Sequence, residues 1–300
     1  MRLNIEVSQL LDRQVREWPL AAANYAALAH VETRQLSING YDFTIQFNPA
    51  RITSSFANTD PQAIQQRPCF LCHRPTEQES LPYTTQNGNG YLILCNPFPI
   101  FPRHFTIIDS THTDQLIWGR IEDMLELAEQ LIDFVLLYNG PRSGASAPDH
   151  FHFQAGNKGI LPIQMLVESS ASIERYPAST FVLESEETSS LAASFHLFYS
   201  ILQKVVPQEP EPMLNILCWK TGSKYYLALF PRKLHRPTQY FAEGNSRILL
   251  SPGAVDLGGI LITPLEKDFC KLTPSDIIDI FHQLSISSDT FNQIVNLFKE

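Results

Sequence analysis

His150-Phe151-His152-Phe153-Gln154 alternates polar and aromatic side chains over five positions. An extended strand puts alternate residues on one face, so the two phenylalanines are expected in a core while His150, His152 and Gln154 share the opposite side. A polar triplet backed by aromatic packing is costly to bury without hydrogen-bond partners or a ligand. Taken alone, a solvated strand face with two hydrogen-bonded histidines explains the pattern as well as a functional site does.

The chain has 300 residues, 44% hydrophobic and 18% charged, enough apolar side chains for one large domain or two ordinary ones and too many for disorder. Its 22 Lys and Arg against 31 Asp and Glu leave a formal charge of −9, which disfavours nucleic acid or an anionic membrane as principal partner. A polyanionic ligand must then meet a local basic pocket; Arg51, Arg142, Lys158 and the Arg232–Arg236 cluster are the places to look. The first 18 residues interleave apolar and charged positions and read as an amphipathic helix rather than a signal peptide, and no run approaches the roughly 18 apolar residues of a membrane span. Five cysteines, only Cys69 and Cys72 close in sequence, fit a reduced, cytoplasmic protein better than a disulfide framework. Cys95, Cys218 and Cys270 lie in apolar stretches and read as buried thiols.

Two helical patterns open the chain, and RQLSI and YDFTIQF flank Asn39-Gly40, a strong hairpin signal. A polar stretch, 48–66, leads to Cys69-Phe70-Leu71-Cys72. Strand-like segments at 91–95 and 105–109 flank NPFPIFPR, whose prolines forbid a continuous ladder. Apolar residues spaced by three and four from Leu116 to Ile132 predict a helix over 113–138. The second half repeats the order roughly: a helix over 189–205, a hairpin from MLNILCW and KYYLALF, strands at RILLS and GGILITP, and two terminal helices. The predicted architecture is α+β, two halves at 1–156 and 157–300, each an antiparallel sheet with helices packed on it.

Cys69-x-x-Cys72 has the spacing of two thiolates on one Zn²⁺. A redox pair is the other reading, although such a pair normally opens a helix, whereas Pro68 and a polar loop precede this one. His112 and His150 are candidates to complete a Cys2His2 tetrahedron.

Together, CFLC, the segment NPFPIFPRHFTIIDSTH, SGAS and HFHFQ resemble the nucleotidyltransferase branch of the histidine-triad superfamily. That branch includes galactose-1-phosphate uridylyltransferase, diadenosine tetraphosphate phosphorylase and the GDP-hexose phosphorylases. Asn48-Pro49-Ala50-Arg51 is similar to an N-x-x-R segment of the last group. The resemblance implies His152 as the nucleophile, Cys69, Cys72, His112 and His150 as ligands of a structural zinc, and His104 as a structural histidine. It implies substrate contacts from Asn96. The sequence departs from the diadenosine tetraphosphate phosphorylases in having one more residue between SGAS and the first motif histidine, where Ala147-Pro148-Asp149 stands; this bears on the roles of Ser143 and Ser146.

The chemistry supports these roles independently. A neutral imidazole can attack an α-phosphorus and split nucleotidyl transfer into two displacements. The Gln154 amide can hydrogen-bond a phosphate oxygen but cannot serve as general acid or base; a third histidine stands there in the hydrolase branch, so glutamine points to transfer or phosphorolysis. Ser143-Gly144-Ala145-Ser146 offers small residues and backbone N–H groups suited to phosphate oxygens, or an ordinary turn. Arg51 could pair with phosphate or stack on a base. Arg232–Arg236 reads equally as a phosphate site or as solvated surface. Asp149 reads as solvated.

The expected function is nucleotidyl transfer through a nucleotidyl-histidine, with GDP-hexose phosphorolysis preferred and dinucleoside polyphosphate phosphorolysis as the alternative. Inorganic phosphate or a sugar phosphate would be the acceptor. A zinc-stabilised nucleotide-binding module without turnover and a thiol oxidoreductase are the competing classes. A homodimer is compatible with the sequence.

Overall fold

The computed structural model describes residues 2–52 and 61–300. Its strands are β1 (Glu32–Ile38), β2 (Tyr41–Phe47), β3 (Ser80–Thr84), β4 (Gly90–Cys95), β5 (His104–Asp109), β6 (Phe134–Asn139), β7 (His152–Asn157), β8 (Phe181–Ser185), β9 (Leu214–Thr221), β10 (Lys224–Pro231) and β11 (Ile260–Thr263). Eight of them form one antiparallel sheet in the order β3-β4-β5-β7-β6-β9-β10-β8. The two halves meet inside it, β6 pairing with β9 through Leu136↔Cys218 and Leu137↔Leu217. A small sheet, β1-β2-β11, joins the N-terminal hairpin to a parallel strand of the second half. The halves therefore share backbone hydrogen bonds in both sheets.

The hairpin turn is the one its sequence specifies: Asn39 at φ 53° and Gly40 at φ 90° are both left-handed, matching the twist of the flanking strands. One face of the large sheet packs Phe105, Phe151, Phe153 and Tyr138 beneath the helices Arg2–Glu17, Ile121–Gln130 and Thr188–Val205. The other face packs Val135, Leu137, Leu217 and Trp219 against Phe43, Ile45 and Leu261 of the small sheet and the helix Pro274–Leu284. β7 lies near the middle of the large sheet, so its parity decides which side chains enter which layer.

Three expectations need correction. The helix expected over 113–138 is only Ile121–Gln130, and Phe134–Asn139 is a strand. Buried on both faces, that strand reads as an unbroken apolar run, in which period two is invisible. RILLS is irregular rather than a strand, although Ile248, Leu249 and Leu250 are buried. Cys270 is exposed, whereas Cys95 and Cys218 are buried as expected. Of the polar stretch 48–66, residues 53–60 lie outside the described residues. Among the described residues no helix is long and apolar enough to cross a membrane.

Candidate active site

The strand carrying the motif begins at His152, and His150 sits in the turn before it. Phe151 and Phe153 are fully buried in the aromatic layer beside Tyr91 and Tyr138. His152, Gln154 and Gly156 consequently line the opposite face. Gly156 is required there by close approach: a Cβ would lie 2.2 Å from the ring of Phe101.

His152 is held by backbone contacts that select its tautomer. Nδ1 is 2.9 Å from the carbonyl oxygen of His150, a pure acceptor, so Nδ1 carries the proton and Nε2 the lone pair. Nε2 has no partner among the described residues and is not one of the fully buried unpartnered atoms, so it stays open to solvent. Burial, partly offset by the bond to His150, pushes the imidazole down to about 4, and the ring is neutral at pH 7. Gln154 is oriented similarly. His104 accepts from Ile100 N–H at Nδ1 and so donates from Nε2 to Gln154 Oε1 at 2.9 Å, which leaves the Gln154 NH2 pointing outward as a donor. Burial, with Arg51 nearby, holds His104 neutral by pushing it down to about 3.

Gln115, which no sequence pattern marks, clamps the strand that carries His152. The β6/β7 register stops at Leu137↔Gln154, and its continuation would pair Asn139 with His152. The buried amide of Gln115 fills that gap: Oε1 accepts from His152 N–H at 2.7 Å, while Nε2 donates to the carbonyls of His152 at 2.9 Å and Asn139 at 3.0 Å. A side-chain amide thus replaces a strand partner. Its own carbonyl accepts from Tyr138 OH, which also bonds Glu211, so the clamp extends into the second half. A glutamine in a loop carries no spacing signal, and only the fold exposes this role.

Cys69, Cys72, His112 and His150 come together, their ligand atoms all within 4.8 Å of one another. Cys69 Sγ and Cys72 Sγ lie 3.4 and 3.3 Å from His150 Nδ1, and Cys72 Sγ lies 3.3 Å from His112 Nδ1. A tetrahedral zinc with bonds of about 2.3 Å to sulfur and 2.0–2.1 Å to nitrogen has sulfur–nitrogen edges of about 3.6 Å, so the donor set and its spacing fit a closed metal site. His150 Nε2 donates to the Asp109 carbonyl at 2.9 Å, leaving Nδ1 as the ligand atom. The loop bearing His112 is organised by the Asp109 carboxylate, which accepts from Thr111, Thr113 and Arg120. Burial alone would raise that carboxyl; the bonds outweigh it and hold it below its ordinary value. His104 stands outside this group, bonded to Gln154.

Asp149 is not solvated but pairs with Arg67 at 2.8 Å, tying the segment before CxxC to the motif turn, and Arg67 also lies over Phe70. Asn96 closes its own turn, accepting from Phe98 N–H and donating to Thr106. Arg51 donates to the Phe98 carbonyl and lies close enough to His104 and Asp256 to shift both. Ser143 is fully buried, with Oγ lacking a partner among the described residues. Gly144 has φ +94°, a conformation that favours glycine, and Ser146 is half-buried. Of the basic candidates, Lys158 lies beyond the far end of β7 and donates to the Lys220 carbonyl. Arg142 is exposed beside the SGAS loop, donating to the Glu209 carbonyl. Arg232 is neither surface nor an open phosphate site: it is buried under that loop.

Residues 10–157 match the family described as Domain of unknown function (DUF4922), and residues 169–300 match GDPGP1-like, C-terminal domain. Among solved structures the chain is similar to yeast Ap4A phosphorylase Apa2, with TM-score 0.64 and 17% identity over 92% of this chain and 97% of that one. The chain therefore shares the fold of that phosphorylase. The same yeast protein in complex with Ap4A and with AMP gives TM-scores of 0.62 and 0.61 at 18% identity, over 92% of this chain in each case and 97% and 96% of the other. No curated protein sequence matches the chain.

Proposed function

We propose that the protein is a phosphorolytic nucleotidyltransferase working through His152. The observation that carries the reading is the pairing of a neutral His152, its lone pair at the open Nε2, with a Gln154 amide turned outward on the same strand face. In the first step Nε2 attacks the α-phosphorus of the nucleotide and the bond from that phosphorus to the leaving phosphate oxygen breaks. The imidazole becomes cationic, and its Nδ1–H is already donated to the His150 carbonyl, which stabilises the positive charge. On this reading Gln154 Nε2–H and the Gly144 and Ser146 backbone amides, which have no acceptor among the described residues, bind non-bridging phosphate oxygens. In the second step an oxygen of inorganic phosphate attacks the same phosphorus and the P–N bond breaks, releasing a nucleoside diphosphate and regenerating neutral His152.

A GDP-hexose is the preferred donor, giving GDP and a hexose 1-phosphate; the GDPGP1-like C-terminal domain and the Asn48–Arg51 segment support it. Ap4A as donor, giving ADP and ATP, is the second reading, supported by the likeness to the yeast Ap4A phosphorylase. Residues 1–156 would carry the catalytic motif and 157–300 the supporting half. Cys69, Cys72, His112 and His150 hold a structural Zn²⁺ on this reading. With all four positions filled by protein, a bound ion would leave no open site for substrate, and its ligand His150 would anchor the turn two residues before His152. The test is intact-protein mass after incubation with GDP-hexoses or Ap4A in the absence of phosphate. An added nucleoside monophosphate, discharged by phosphate and absent from His152→Ala, is expected; no adduct and no phosphate-dependent product with either donor class refutes the proposal.

A further inference from the structure

Arg232 is 1% exposed, yet among the described residues its guanidinium hydrogen-bonds no carboxylate; all its acceptors are neutral oxygens. Nη1 donates to the carbonyls of Ser143 at 3.2 Å and Pro252 at 2.7 Å and to Asn215 Oδ1 at 3.0 Å, and Nη2 donates to the carbonyls of Leu234 and His235. Asn215, itself fully buried, donates to the same Ser143 carbonyl at 2.6 Å and to Asn139 Oδ1 at 2.6 Å. Two donors from the second half therefore converge on one carbonyl of the SGAS loop and draw it inward.

A trans peptide sets its N–H opposite its C=O, so fixing the Ser143 carbonyl fixes the Gly144 N–H on the other side, away from Arg232. Among the described residues neither the Gly144 nor the Ser146 N–H has an acceptor. The loop leaves β6 at Asn139, whose carbonyl shares the Gln115 amide with His152, so it starts next to the nucleophile's own backbone. We propose that Arg232, with Asn215, is a positioning residue: it turns the Ser143–Gly144 peptide so that the Gly144 N–H faces the nucleotide's phosphate. The second half, which carries no HxHxQ, thereby completes the phosphate cradle of the first, and the buried guanidinium adds a fixed positive charge behind it. This inference rests on the nucleotidyltransferase reading.

The test uses [¹⁵N]glycine-labelled protein, in which the Gly144 amide is one of 13 glycine signals and is assigned with Gly144→Ala. Adding GMP or AMP is expected to shift that signal in the wild type. In folded Arg232→Met the shift is lost and the dissociation constant rises about tenfold or more, the scale of a lost hydrogen bond to a charged group. Arg232→Lys should fall between, because one ammonium cannot serve both Ser143 and His235. Asn215→Ala removes one of the two donors to Ser143 and decides the matter where Arg232→Met does not fold. An unchanged Gly144 shift and unchanged affinity in a folded Arg232→Met or Asn215→Ala overturn the inference. Failure of the parent reading is separate: the wild type itself would form no adduct on His152.

Discussion

Replacing Gln115 with leucine, of similar volume, removes the amide that stands between β6 and β7. His152 N–H and the carbonyls of His152 and Asn139 then lose the fully buried amide that pairs with them. At roughly 1–3 kcal/mol for each of the three unsatisfied groups, the structure implies a loss of about 3–9 kcal/mol unless the two strands close on each other. Closure of the Asn139–His152 gap would recover part of that energy but carry His152 toward β6. A displacement near 1 Å is worth about 100-fold in rate, so stability and chemistry should fall together or trade against each other. The assay pairs urea denaturation with the single-turnover rate of adduct formation on His152. Gln115→Leu should lower the urea midpoint, or hold it and slow adduct formation by about two orders of magnitude. A variant matching the wild type in both would refute the claim that this amide sets the position of His152.

Further expectations follow from the same geometry. Elemental analysis should find about one zinc per chain, lowered by Cys69→Ser or His112→Ala; a folded, active, metal-free wild type would contradict the structural-zinc assignment. Adduct formation should not lose His152 to protonation until pH approaches about 4, since burial depresses the ring and the neutral form is the nucleophile; an acid limb centred near the ordinary histidine value of 6.5 would refute this. His104 falls from 6.5 to about 3 on folding, so the unfolded chain binds more protons in between: stability is present above pH 6.5 and lost as pH drops toward 3. Urea midpoints measured from pH 7 to 4 should therefore decline less steeply in His104→Gln than in the wild type. Gln154→Leu should slow adduct formation by about 100-fold, the scale of one lost transition-state donor, with His152 still intact by mass.

Local sequence carried a good deal of this molecule. The alternation of HFHFQ assigned Phe151 and Phe153 to a core and His152 with Gln154 to the other face, because strand parity is a property of adjacent residues. CxxC and the two histidines pointed to a group that comes together in the fold and could hold a metal, because thiolate and imidazole are metal-binding side chains, and Asn39-Gly40 specified its turn through backbone conformation alone. Legibility ended where a residue's role depends on what lies opposite. Phe134–Asn139 read as helix because burial on both faces erases its period. Asp149 read as solvated because Arg67 is 82 positions away. Gln115 and Arg232 bond backbone carbonyls, and any donor of suitable reach could do so; no residue pattern marks the pairing. Which groups could do chemistry was therefore written in the chain itself, whereas the aim of each group was decided by tertiary contacts: His152 through Gln115, Gln154 through His104, and the SGAS loop through the second half. The physical reason is that reactivity resides in side-chain type, while orientation requires hydrogen bonds between segments brought together only by folding.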